Sequence, residues 1–180
     1  MCIHSECQRA YLSRAVQRNP KLYRGMVLEG PLIHSVAEFT PATAMALKLA
    51  NRLCPDYEAV EFPLEQITSD PSMITKLTND PLRWNSGIKV SMLCAFSTAL
   101  KLVNQHLSAV RTPFLILHAE NDKSCHVKGS KKLHEVAPIE DKQIITFNEG
   151  EHNLFIEVPD IRRQAINESV TWINSRSAIK

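Results

Sequence analysis

Pro113-Phe114-Leu115-Ile116-Leu117-His118-Ala119-Glu120-Asn121-Asp122 is the stretch on which the fold turns. A proline opens an apolar run that closes in a polar turn, the pattern of a strand buried on both faces of a parallel sheet. Gly25-Met26-Val27-Leu28-Glu29-Gly30 repeats that pattern between two glycines. Lys142-Gln143-Ile144-Ile145-Thr146-Phe147 supplies a third β-rich run after the turn-like Pro138 to Asp141. Helical text separates or flanks these runs at Gln8 to Arg18, Lys128 to Val136 and Ile161 to Asn174. In the last of these, Ile161, Ala165, Ile166, Val170 and Ile173 recur at helical spacing and predict one core face. Strands alternating with helices predict an α/β sheet.

Between the first two strands the text changes. Pro31 to about His106 reads as helices broken by loops: Ala42 to Leu53, a proline-rich passage from Pro55 to Pro81, then Gly87 to Leu107. This is far longer than an ordinary βα connection and predicts an inserted helical subdomain. A sheet of only three strands would leave a long edge without a partner. The chain is therefore expected to be the C-terminal part of a larger domain.

Composition narrows the class. The 180 residues are 44% hydrophobic and 22% charged, which excludes disorder, collagen and coiled coil as the main description. A formal charge of +2 without a basic block points to no nucleic-acid partner. Five scattered cysteines make no disulfide framework and point to a reducing, cytoplasmic compartment. The longest apolar stretch, Ile88 to Val103, carries Lys89 and Lys101 and falls short of the roughly 18 apolar residues a span requires. A soluble chain, at most peripheral at membranes, is expected.

Two polar turns then stand out. Asp122 follows the strand that ends near His118, and His152 lies in Asn148-Glu149-Gly150-Glu151-His152-Asn153, just after the last strand. Catalytic groups of open α/β sheets gather outside the carboxyl ends of the strands. A buried carboxylate there can bond the imidazole, fix its tautomer and stabilise its cation. The plainer alternative makes His152 a surface turn residue and Asp122 or Ser124 a helix cap. A nucleophile should precede both, and Ser5, directly before the Gln8 to Arg18 helix, is the candidate in that place. Taken alone, Ser5 is equally a plain helix cap. Cys2, His4 and Cys7 form an incomplete ligand set with no fourth ligand adjacent, and no metal site is read there.

From His4 to Ser175 the chain resembles the C-terminal part of monoacylglycerol lipases, in the serine-aminopeptidase-like branch of α/β-hydrolases. The resemblance rests on Ile3-His4-Ser5-Glu6-Cys7, Arg24 to Ile33, Asn79-Asp80-Pro81-Leu82, Gly87-Ile88-Lys89-Val90, Val110 to Leu117, Asn121-Asp122-Lys123 and Glu149-Gly150-Glu151-His152. It implies Ser5 as nucleophile, Asp122 as acid, His152 as base and the Glu6 backbone N–H as an oxyanion donor. It also implies residues 1–30 as the elbow helix and strand of a partial core, 31–106 as a helical cap or lid, and 107–180 as the C-terminal core. A lipid or small acyl ester is the implied substrate, with no metal or organic cofactor and a cap that can touch a membrane. In the cap, Ile88, Met92, Ala95, Phe96, Ala99 and Val103 lie along one helix, as core or as a lipid-facing surface.

The nucleophile elbow departs from its pattern. Where Gly-x-Ser-x-Gly is expected, Ile3 and Cys7 hold the two glycine positions and crowd the turn. Two readings follow: a serine ester hydrolase that is weak or inactive as this chain, and a non-catalytic remnant or interaction protein of the same fold.

Overall fold

The computed structural model describes residues 23–35, 40–61 and 63–177. In chain order its main elements are β1 (Met26–Glu29), α1 (Pro41–Leu53), β2 (Glu58–Val60), α2 (Pro71–Thr78), β3 (Ile88–Lys89), α3 (Val90–His106), β4 (Phe114–Ala119), α4 (Val127–Val136), β5 (Lys142–Phe147) and α5 (Pro159–Ser177). The predicted helix at Gln8 to Arg18 lies outside the described residues.

All six residues of β4 are buried, because this strand is central and covered on both faces. Parallel neighbours flank it in the order β1-β4-β5, with Met26 opposite Phe114 and Phe114 opposite Lys142. Side chains alternate across a strand, so β4 divides its residues between two cores. Phe114 and Ile116 pack with Leu28, Leu107, Val110, Leu133 and Ala137 on one face. Leu115, Leu117 and Ala119 pack with Phe147, Leu154, Ala165 and Trp172 on the other. Each large aliphatic side chain fully buried in this way contributes about 1.5–3 kcal/mol. The same alternation turns His118 towards the α4 face, where a buried polar group must find hydrogen-bond partners.

Helix α5 corrects one sequence expectation. Its inward face is Ala165, Ser169 and Trp172, with Ile161 packed beside them, while Ile166, Val170 and Ile173 are exposed. The apolar positions cover a stripe wider than one face. Small residues at 165 and 169 let the helix approach the sheet closely, and Trp172 fills the space that remains.

The region between β1 and β4 holds a small antiparallel ladder that periodicity did not reveal. Glu58 and Val60 pair with Lys89 and Ile88, so the predicted Gly87 to Leu107 helix starts only at Val90. Strands of two or three residues are too short to show a period, and β-branched Val60 and Ile88 are the only local cue. In α3 the buried line is Phe96 and Leu100, with Leu93 packed beside them. Met92 and Ala95 point outwards. The structure also places a helix, α2, inside the proline-rich passage from Pro55 to Pro81, where none was expected. Thr40 Oγ1 accepts the Thr43 N–H at 3.2 Å and Asp70 Oδ1 accepts the Ser72 N–H at 2.8 Å, each just before a proline that opens its helix.

Gly25 shows how tightly α5 seats. A Cβ there would overlap the Trp172 ring, with Cζ3 only 2.9 Å away, while the Arg176 guanidinium lies 3.8 Å from that ring's centroid on top. Overpacking at such a site costs about 1–3 kcal/mol. Gly25→Ala is expected to lower the urea midpoint at unchanged slope; an unaltered midpoint would show that α5 can yield.

Candidate active site

Both loops of interest leave the carboxyl ends of neighbouring strands, β4 and β5, so the sheet itself delivers them to one edge. The backbone then ties them together. Glu120 N–H donates to the Phe147 carbonyl at 2.8 Å. Asn121 Nδ2 donates to the Asn148 carbonyl at 3.3 Å. Lys123 Nζ reaches Glu151 Oε1 at 2.8 Å, an exposed pair that adds about 0–1 kcal/mol at most.

At this edge Asp122 and His152 meet. Both are buried, and His152 Nδ1 lies 2.7 Å from Asp122 Oδ2. The other carboxylate oxygen closes the turn, accepting the N–H groups of Ser124 at 2.7 Å and Cys125 at 2.9 Å. Asp122 thus organises a turn with one oxygen and holds an imidazole with the other. It does not cap α4, whose N-cap is His126, with Nδ1 accepting the Lys128 N–H at 3.3 Å.

A second imidazole reaches the same oxygen. His118, fully buried at the end of β4, places Nε2 3.3 Å from Asp122 Oδ2 and 2.8 Å from the Cys125 carbonyl. Two acceptors face that nitrogen, so Nε2 carries the proton. Nδ1 then accepts from the Ser130 hydroxyl at 2.7 Å. His152 takes the opposite tautomer: its Nδ1–H donates to the carboxylate, and Nε2 keeps the lone pair. His118 and Ser130 were not singled out from the sequence. The available signal was one polar residue inside an otherwise apolar buried run.

Burial is the largest influence on Asp122 and opposes its ionisation. The hydrogen bonds from His118 and His152, the charge on His152 and the Cys125 N–H together outweigh it. Asp122 is therefore held well below the usual carboxylate range.

Gly30 closes the site from the β1 side. Its φ of +45° suits glycine, and a Cβ there would stand 3.0 Å from His152 Cε1 and Nδ1. Beside it, buried Glu29 accepts the Phe155 N–H at 3.2 Å. Ser5, Glu6 and the elbow positions Ile3 and Cys7 lie outside the described residues, as do Cys2 and His4.

A parallel sheet with a carboxylate and a histidine on successive strand ends is the arrangement of α/β-hydrolases. The comparisons with known proteins narrow it further. A family model described as serine aminopeptidase, S33 (Hydrolase_4), matches residues 10–159. The chain belongs to that family. It is 27% identical over 166 residues to the monoglyceride lipase of Rattus norvegicus, covering 92% of this chain and 55% of the relative. Identity to a monoacylglycerol lipase of Mycolicibacterium smegmatis is 23% over 158 residues, 88% of this chain and 56% of the relative. The chain thus spans about half the length of the curated relatives it matches. Among solved structures, the monoacylglycerol lipase of Paleococcus ferrophilus superposes with a TM-score of 0.80 at 19% identity, over 94% of this chain and 65% of the other. A soluble variant of the Saccharomyces cerevisiae monoglyceride lipase, bound to a substrate analogue, gives 0.77 at 19%, over 97% and 60%.

A lowered carboxylate pKa stabilises the folded state above the unfolded value near pH 4, and that stabilisation is lost as pH falls through the folded value. Acid titration of the urea midpoint checks the sign. The parent should lose stability progressively below about pH 4. Asp122→Asn should start lower at pH 7 and fall less on acidification. Parallel curves would mean that Asp122 is not the titrating anion.

Proposed function

We propose that this chain carries the site of a serine ester hydrolase of the monoacylglycerol lipase type, acting on acyl esters of glycerol lipids. The hydrogen bond between His152 Nδ1 and Asp122 Oδ2, 2.7 Å long, carries the reading. With Nδ1 committed as donor, Nε2 is the base. In this mechanism Nε2 takes the proton of Ser5 as its Oγ attacks the ester carbonyl. The resulting imidazolium is stabilised by Asp122, and the Glu6 backbone N–H is the proposed donor to the oxyanion. His152 then returns the proton to the departing glycerol oxygen, leaving Ser5 acylated. Water, deprotonated by the same imidazole, releases the fatty acid. The names of the similar lipases support the substrate class.

Residues 31–106 are proposed as the cap over that site. Met45, Leu49 and Leu53 lie four apart on α1 and are exposed, as are Tyr57, Leu82, Trp84 and Met92. Such a surface suits contact with a lipid interface. No helix among the described residues is long and apolar enough to cross a membrane.

Ile3 and Cys7 favour a second reading, in which the fold is kept and catalysis is lost. Each places a Cβ where the elbow uses bare backbone, at about 1–3 kcal/mol of strain per site. A fluorophosphonate probe separates the two. Slow labelling at Ser5 is expected, absent in Ser5→Ala, strongly reduced in His152→Ala and faster in the Ile3→Gly, Cys7→Gly double variant. No labelling of Ser5 in either the parent or the glycine variant would establish the non-catalytic reading.

A further inference from the structure

Glu157 lies five positions beyond His152 and is fully buried, yet no step of the proposed reaction uses it. Its carboxylate accepts from four donors on two stretches of chain. Oε1 takes the backbone N–H groups of Ser69 at 2.9 Å and Glu151 at 2.8 Å. Oε2 takes the Ser69 hydroxyl at 2.6 Å and the Val158 N–H at 3.1 Å. With its acceptor positions occupied and no exposed surface, this carboxylate cannot reach a substrate. It can act only through the segments it joins.

Those segments bear directly on the histidine. The His152 N–H donates to the Gln66 carbonyl at 3.2 Å, and the Asn153 N–H to the Ile67 carbonyl at 2.8 Å. Next along, the Thr68 hydroxyl donates to the Ile156 carbonyl at 2.8 Å and accepts the Asp70 N–H at 3.1 Å. The stretch from Gln66 to Asp70 is thereby laced to the stretch from Glu151 to Val158, and Asp70 in turn caps α2. Among the described residues, Glu157 supplies the only charged acceptor in this lacing. Charge-assisted hydrogen bonds of this kind are about twice as strong as neutral ones.

We propose that Glu157 is a positioning residue, which clamps the Gln66–Asp70 segment to the histidine loop and so holds the His152 imidazole against Asp122. The inference rests on the reading of His152 as the general base. Through Asp70 it also makes the placement of α2 and the placement of His152 one mechanical unit. Glutamine at 157 keeps the shape but turns an amide N–H₂ towards a backbone N–H, whichever way it faces. Aspartate keeps the charge on a shorter stem.

The test uses the full chain, labelled with nitrogen-15, with Glu157→Gln, Glu157→Asp and Ser69→Ala. In Glu157→Gln, amide exchange at His152 and Asn153 should quicken roughly tenfold or more, while Ile116 and Ile144 in the central strands keep their rates. The low-field proton signal of His152 Nδ1 should shift or broaden, and Glu157→Asp should recover part of both effects. Fluorophosphonate labelling of Ser5 should slow about in step with the loss of order at His152. Should Glu157→Gln fail to fold, Ser69→Ala, which removes only the hydroxyl arm, should give the same localised change at about threefold.

Unchanged exchange and an unchanged Nδ1 signal would overturn the proposal. So would equal acceleration of the core amides, which makes Glu157 a general support of the fold. Unaltered labelling beside a loosened loop would also overturn it. A parent that labels nowhere removes the hydrolase reading instead, and the exchange pattern then decides whether Glu157 places His152.

Discussion

A carboxylate taken out of water must find donors for its lone pairs, and Asp122 finds four within its own turn and its neighbours. Two backbone amides, from Ser124 and Cys125, meet one oxygen, and two imidazoles, His118 and His152, meet the other. Removing any partner leaves a buried charge short of a donor, which typically costs about 1–3 kcal/mol or more. The turn after β4 therefore has little freedom, and the loop after β5 must come to it. From this follow the tautomer of His152, the need for bare backbone at Gly30 and the presence of a second histidine in the strand.

Much of this was legible in the sequence because it is local. Strands β1 and β4 announced themselves as bounded apolar runs and β5 as a β-rich run after a turn, whereas α2 lay unread inside the proline-rich passage from Pro55 to Pro81. Asp122 and His152 could be paired because loops after successive parallel strands leave on the same side. What escaped was relational. His118 was one polar letter in an apolar run, and its partner Ser130 sits on the next helix, twelve positions away. Glu157 joins segments separated by 88 positions, and no periodicity carries such a contact. The inward face of α5 escaped for another reason. Apolar residues cover more than one side of that helix, and the choice fell to the small residues that allow close approach.

Two layers of polar structure surround the imidazole. The inner one sets its protonation through Asp122, and the outer one sets its location through Glu157. Both use buried carboxylates saturated with donors, a costly choice unless every donor is in place. That cost explains why the loops at this edge are cross-linked so heavily by backbone hydrogen bonds. It also ties the region between β1 and β4 to the chemistry at the edge of the sheet, since Gln66 and Ile67 hold the backbone of the histidine loop. The similarity to monoglyceride lipases in sequence and fold spans both regions.

Nitrogen-15 correlation of the histidine rings, recorded at a pH where both imidazoles are neutral, tests the central arrangement most directly. Asp122 receives one N–H from each ring, through different ring nitrogens. The spectrum should therefore show His152 protonated at Nδ1 with Nε2 bare, and His118 protonated at Nε2 with Nδ1 bare. In Asp122→Asn the His152 preference should weaken. A parent in which His152 carries its proton on Nε2, or averages between the two forms, would contradict the assignment of that ring as an oriented base.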